Sequence, residues 1–199
     1  MNITGTNGNK QLFDLVHTLD EKQKIKFFGG KTKAALFDAG LLNRTDYFKP
    51  LKDIDICGIL IPDRAVMNHV LIGEYTNPTT DDPNGRLHKG GHAFIAMAEM
   101  GRRGIVYNVT STASNGVVFG NVPRHKNNHR QSGNTQLWFP QSWSEHDIRT
   151  AGIISANKGQ PTTKYTRAKV AEYKGVKVIT WSPDGIRIGT IAPYEEQGE

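Results

Sequence analysis

The residues with the most chemical potential lie between Asn68 and Met97, in NHVLIGEYTNPTTDDPNGRLHKGGHAFIAM. His69 stands near one end, and His92 follows Gly90-Gly91 near the other. A loop rich in Pro, Gly, Asn and Asp separates them and has a basic edge at Arg86, His88 and Lys89. Imidazole titrates near neutral pH, so a neutral and a charged histidine facing each other across a cleft make a general base and a general acid. Cleavage of RNA by its own 2′-hydroxyl needs such a pair. One ring takes the hydroxyl proton, and the other protonates the leaving 5′-oxygen. His92 opens an apolar run of helical character, Ala93 to Met100, that stops at Gly101. The positive end of a helix disfavours an imidazolium beside it, which assigns His92 as base and His69 as acid. The plain alternative is that both are ordinary surface or core residues, as most of seven histidines would be.

A second stretch, GNVPRHKNNHRQSGNTQLWFP at 120–140, crowds Arg124, His125, Lys126, His129 and Arg130 into a polar loop without acidic neighbours. It reads either as a solvated basic loop or as a phosphate clamp, in which a fixed cation stabilises charge on a pentacovalent phosphorane. Trp138 and Phe139 are expected to be buried rather than to stack on bases. His88 and His92 are four apart, as in zinc helices, but Gly90-Gly91 interrupt any helix there and no glutamate stands where a hydrolase base would. A metal site is rejected on those grounds, and no cofactor is expected. No strand–GxxxxGK–helix arrangement for nucleotide phosphates occurs either.

The elements that must hold these residues follow from periodicity and turn signals. Residues 1–8 read as a flexible lead-in. Leu12, Leu15, Val16, Leu19, Ile25 and Phe28 give a helical pattern over 9–28, ended by Gly29-Gly30. A second helix over 32–42 places Ala35, Leu36, Ala39 and Leu42 on one face, with Thr32 as N-cap. Lys22, Lys24, Lys26, Lys31 and Lys33 read as a solvated face. From about 54 the texture turns to β, with strands expected at Ile54–Ile61, Val66–Ile72, Ile105–Thr110 and Val117–Val122. Ser144 caps a helix with Asp147 three residues on, and the helix runs through Ile148, Ala151 and Ser155 to Gly159. Val176–Trp181 and Ile186–Ile191 alternate about the turn Ser182–Gly185, which predicts a β-hairpin. The class is α+β, with antiparallel sheets, flanking helices and a small helical N-terminal region. The expected division is 1–55 for that region and 56–199 for the main domain.

Composition narrows the partners. The 199 residues carry a net charge of +6 and a pI near 9.4, which favours nucleic acid, an acidic protein or an anionic surface. The single cysteine, Cys57, excludes an intramolecular disulfide and a cysteine-based metal site, and its apolar neighbours predict burial. No stretch is long enough to span a membrane, and the N-terminus lacks the form of a signal peptide. The chain is therefore expected to be soluble, as it stands or as a released piece of a larger secreted protein.

HVLIGE at 69–74, GGHAFI at 90–95, HK at 125–126, QLWFPQSW at 136–143 and TIAP at 190–193 together resemble the EndoU endoribonucleases. The likeness is greatest to the bacterial toxin branch, whose domains end polymorphic toxins such as those of contact-dependent inhibition. Nidoviral uridylate-specific endoribonucleases share the order of elements. The resemblance covers about 60–197 and implies an EndoU-like central cleft between antiparallel sheets. It implies a metal-independent endoribonuclease that leaves 2′,3′-cyclic phosphate and 5′-hydroxyl ends. It also implies delivery as part of a larger toxin into the cytoplasm of a target cell, an RNA substrate with tRNA one candidate, and a cognate immunity protein. By the resemblance His69 and His92 match the catalytic histidines. Lys126 matches the catalytic lysine, with Arg130 as rival. Thr190 matches the base-reading threonine, and Gln136 stands where many members have a serine or threonine that faces the base. Ala192 stands where the family has a base-stacking tyrosine, so a ring is expected from Tyr194 or Trp181, with a weaker uridine preference. The alternatives are a non-catalytic RNA-binding module of the same fold and a basic domain that binds an acidic protein.

Overall fold

The computed structural model describes residues 14–197, so the lead-in at 1–8 and the start of the first helix lie outside the described residues. The chain divides into two compact units, Met1–Ile59 and Leu60–Glu199.

The first unit is helical. Residues 14–18 form one helical segment. A new helix, α1 (Glu21–Phe28), begins behind a capping box in which Asp20 and Gln23 satisfy each other's backbone N–H groups. The pattern read as one helix over 9–28 is thus broken at Asp20, a better cap than helix interior. Gly29 ends α1 in the left-handed conformation, as expected. In α2 (Lys31–Asp38) the N-cap is Gly30, not Thr32. The lysine face is also only partly solvated. Lys33 is buried, and its ammonium donates to the carbonyls of Tyr47 and Lys49. Val16, Phe28, Ala34, Phe37 and Tyr47 form the core of this unit.

The second unit is α+β with antiparallel sheets. Its first element corrects the sequence reading. Val66–Ile72 is not a strand but lies on helix α3 (Arg64–Leu71). Asp63 caps it by accepting from the Val66 N–H, Met67 and Val70 are buried one turn apart, and β-branched content alone misled. The strand expected at Ile54–Ile61 is also absent. A 3-10 turn at Leu51–Asp53 precedes it, the segment itself is coil with a turn at Cys57-Gly58, and Cys57 is exposed. Strands β1 (Glu74–Tyr75) and β2 (Leu87–Lys89) pair across the Pro- and Asp-rich loop, and α4 (Phe94–Arg102) follows.

Strands β3 (Asn108–Thr112), β4 (Val118–Asn121) and β5 (Gln136–Trp138) form a three-stranded sheet, ordered β3-β4-β5. Helix α5 (Glu145–Lys158) begins at the Ser144–Asp147 capping box that the sequence predicts. A four-stranded sheet closes the unit: β6 (Gln160–Pro161), β7 (Ala168–Tyr173), β8 (Val176–Trp181) and β9 (Thr190–Pro193). β8 and β9 do pair, with Trp181 opposite Thr190, but the link is longer than the expected turn and residues 186–189 are not strand.

Alternation decides which face of this sheet meets solvent. Val176, Val178 and Thr180 of β8, and Ile191 of β9, point to the core under α5. Gly152 of α5 lets Ile191 approach, because a side chain there would collide with its Cδ1. Ser155 ties the helix down, its hydroxyl lying 2.8 Å from the Lys169 carbonyl of β7 and 3.0 Å from the Val178 carbonyl of β8. The opposite face therefore presents Ile179, Trp181, Thr190 and Ala192 to a cleft. Trp138 and Phe139 are fully buried, as expected.

Candidate active site

The two histidines are brought together by the end of one helix. The last carbonyls of α3 have no partners within the helix and must find donors elsewhere. They take them from the Gly-Gly-His segment: Gly91 N–H donates to His69 O at 2.8 Å, and His92 N–H to Val70 O at 2.7 Å. Gly90 and Gly91 adopt φ of 67° and 68°, a turn that L side chains resist. Gly90 also passes close over His69, since a Cβ there would meet the His69 carbonyl and stand 3.0 Å from its ring.

His92 is held from the other side by β5. Its Nδ1 lies 3.0 Å from the carbonyl of Leu137, and its own carbonyl accepts from Phe139 N–H at 2.7 Å. A carbonyl only accepts, so Nδ1 carries the proton and Nε2 keeps its lone pair. His92 lines the cleft although it is buried. Burial, then the charge of Arg130, pushes its pKa down to about 3, against which the Leu137 carbonyl works; His69 and His125 add smaller repulsions. The neutrality expected from a helix N-terminus is thus present, but desolvation is its main cause. His69 is less enclosed. Its Nδ1 is 2.8 Å from Glu74 Oε1, which fixes the ring and leaves Nε2 for proton exchange. Glu74 belongs to the HVLIGE motif, but its role was not read from the sequence.

The cleft holds about 660 Å3, inside the ~300–1,000 Å3 of ordinary ligand sites. Arg130 lines it together with His92, whereas Lys126 and His69 do not; His69 stands near enough to His92 to influence its charge. The Arg130 guanidinium donates to Thr135 O at 2.9 Å and to Gln136 Oε1 at 3.0 Å. Burial lowers its pKa, and Tyr165 works against that, yet a guanidinium stays charged. Lys126 is exposed, and its backbone N–H donates to Leu87 O. Gln136 is fully buried. Its amide donates to the carbonyls of Gly90 and Gly91 at 3.3 and 3.2 Å, so it ties the histidine turn to Arg130 rather than facing a ligand.

Thr190 lines the cleft, and its hydroxyl has no hydrogen-bond partner among the described residues. A buried donor in that state suits a polar ligand group. Tyr194 also lines the wall but is only 9% exposed, whereas Trp181 is 44% exposed. Lys164, Tyr165 and Thr166 join the lining as well. Sequence reading passed over them because they lie in a short polar connection with no motif. His125 went unassigned too. It is buried, its Nδ1 accepts from Asn127 N–H at 2.8 Å, and its carbonyl accepts from Gln131. It shapes the loop that carries Arg130.

A cleft lined by cations, open rings and an unpartnered hydroxyl suits a ligand both anionic and aromatic, and nucleic acid is the class that answers both. The family comparison settles the kind of enzyme. Residues 63–193 match the model of the bacterial EndoU nuclease, and the chain belongs to that family. Membership makes it an endoribonuclease with RNA as substrate. No curated protein and no solved structure matches the chain. Among the described residues, no helix is long and apolar enough to cross a membrane.

Proposed function

We propose that this endoribonuclease cleaves RNA by attack of a 2′-hydroxyl on the adjacent phosphate, with His92 as base and His69 as acid. The observation that carries the reading is the state of His92. Its ring has the proton on Nδ1 and a free Nε2, and both Arg130 and His69 are close enough to influence its charge. Nε2 takes the hydroxyl proton as the 2′-oxygen bonds to phosphorus. The bond from phosphorus to the 5′-oxygen then breaks, and His69 gives that oxygen a proton. The products are a 2′,3′-cyclic phosphate and a 5′-hydroxyl. An incoming phosphodiester offsets the cation repulsion at His92 and so raises its basicity above the value that burial and Arg130 set in the free protein.

Arg130 is the better placed of the two candidate phosphate cations, because it lines the cleft with His92 and its charge acts on that ring, and Lys126 does neither. A planar guanidinium also suits phosphate oxygens. No step needs a metal ion. Catalysis is assigned to residues 56–199. The resemblance to the toxin branch extends the reading to a toxin delivered into a target cell's cytoplasm and held in check at home by an acidic immunity protein over the cleft.

The test is incubation of total RNA with the full chain in EDTA, followed by mapping of the cut ends. Cyclic phosphate and 5′-hydroxyl ends are expected. Cleavage only with added metal, or 3′-hydroxyl and 5′-phosphate ends, overturns the mechanism. Retardation of intact RNA reduces the protein to a binder.

A further inference from the structure

The strand ends that wall the cleft also wall a second cavity. Thr166, Ala168 and Trp181 line the cleft, while Arg167, Lys169 and Ser182 line a separate space of about 280 Å3. Successive residues of a strand face opposite sides of a sheet, so this space lies on the α5 side of β7 and β8. Ala156 of α5 lines it, and the Lys169 ammonium donates to the Ala156 carbonyl at 3.1 Å. Ala168 borders both spaces, so the two lie back to back across the end of one sheet.

Charge sets the second cavity apart. Neighbouring cations are paired, Lys164 with Glu195 and Arg187 with Asp184. Arg167 donates to Pro183 O and Lys169 to Ala156 O, both neutral carbonyls, and neither cation meets a carboxylate among the described residues. A guanidinium carries five donors and an ammonium three, so each has donors to spare. Arg167 also stands at φ of 63°, a conformation that glycine takes freely and an arginine takes at a cost. Backbone held in such a region clusters at ligand clamps. Thr162 adds a hydroxyl, and Leu60 and Pro161 add apolar surface. Spare cationic donors, hydroxyls and a short apolar wall together match a sugar and its phosphate. The volume falls just below the ~300 Å3 at which sites for whole small molecules begin, so one segment of a polymer fits better than a free ligand.

We propose that Arg167 and Lys169 form a second anion site, which holds the ribose–phosphate backbone of RNA outside the cleft. The strand leaves the cleft beside Thr166, crosses the end of the sheet at Arg167, and sets one phosphate between the two cations. The inference rests on RNA as the ligand of the cleft but not on the proton transfers. It makes the enzyme favour strands longer than the cleft alone can hold.

The probes are two single-stranded 2′-deoxy oligonucleotides, a dinucleotide that stays within the cleft and a dodecanucleotide that reaches beyond it. Both lack the attacking hydroxyl and are bound without cleavage. The affinity of the full chain for each is measured over a range of salt. Arg167→Gly and Lys169→Gln should each weaken binding of the dodecanucleotide and leave that of the dinucleotide unchanged. Each should lower the slope of log affinity against log salt by roughly 0.7, the worth of one phosphate contact on a single strand. Arg167→Gly relieves the backbone, and Lys169→Gln keeps a donor for the Ala156 carbonyl, so neither loss is a loss of fold. Lys177→Ala removes a charge from the other end of β8, lines neither cavity, and should change neither affinity. Unchanged dodecanucleotide binding in either site variant overturns the two-cation site. So does an equal loss for both lengths, which would assign the cations to the cleft, or an equal loss in Lys177→Ala, which would reduce the effect to overall charge. Cleavage of the matching ribo-oligonucleotides is followed in parallel. Wild type that binds the dodecanucleotide without cutting its ribo counterpart removes the proton transfers and leaves the site. Wild type that cuts while both site variants bind normally removes the site alone, and wild type that binds neither length removes both.

Discussion

His92 and His69 have different surroundings, and their substitutions should report different losses. His92 is enclosed, neutral and bonded through Nδ1 to Leu137, while His69 is more accessible and turned by Glu74. His92→Ala and His69→Ala should each lower cleavage by about 10²–10⁴-fold, the usual worth of a positioned acid or base. Glu74→Gln should cost less, since it keeps the shape of the contact and weakens only the hold on the tautomer. Initial rates on an RNA oligonucleotide, with circular dichroism to verify the fold, check all three. Near-wild-type rates in either histidine variant remove that residue from the chemistry. The phosphate cation is decided in the same assay. Arg130→Ala is expected to be much slower than Lys126→Ala, because only Arg130 lines the cleft. The reverse order would mean that the basic loop moves to bring Lys126 in when RNA binds. Sequence motifs had favoured Lys126, since a His-Lys pair looks like a marker and nothing in a linear string shows which cation of a basic loop turns inward.

At the scale of elements, the site depends on how α3 ends. Its terminal carbonyls need donors, and the Gly90-Gly91 turn supplies them while setting His92 beside His69. Gly90→Ala combines a left-handed backbone with a collision against the His69 carbonyl. Gly133→Ala is a control for the first effect alone, having φ of 65° and nothing within 4 Å of the added carbon. The control should lose about 1 kcal/mol of stability. Gly90→Ala should lose clearly more, and at least tenfold in cleavage; equal behaviour of the two would show that the turn does not position the histidines. This architecture was half legible beforehand. Both histidines, the capping box at Ser144 and the pairing of β8 with β9 carried local signals: residue type, cap spacing and strict alternation. The helix under His69 did not, because Val66, Val70 and Ile72 raise strand propensity while Asp63 and the 67/70 spacing, which settle the matter, are individually weak. Strand β7 was missed for lack of a strong turn, although Lys174 and Gly175 link it to β8 with φ of 48° and 75°, as a tight hairpin requires. Lys33 was misread because a buried ammonium between two carbonyls leaves no trace in periodicity.

Across the Leu60–Glu199 unit, two buried imidazoles make folding depend on pH. His92 has its pKa pushed down to about 3, by burial and then Arg130. His125 is pushed down to about 4, by burial, then Arg130 and His88. Both titrate near 6.5 once unfolded, so between these values the unfolded chain binds protons that the folded one excludes. The stability they contribute is complete above about pH 6.5 and is lost as pH falls toward the folded values. The loss should reach the order of a few kcal/mol at the acid end. Ordinary carboxylates titrate at about 4, so the window from pH 7 to pH 5 isolates the histidines. All three tryptophans, Trp138, Trp143 and Trp181, lie in this unit, so their emission follows its unfolding without interference from the helices before residue 60. In urea melts the midpoint should drop between pH 7 and pH 5. Below pH 5, toward the folded values, the further drop should end at a higher pH in Arg130→Ala, whose missing cation lets both rings take protons more readily while folded. The same acid course in the two proteins below pH 5 would show that Arg130 does not contribute to the charge state of the imidazoles. That would take away the electrostatic link between the phosphate cation and the base on which the cleavage scheme depends.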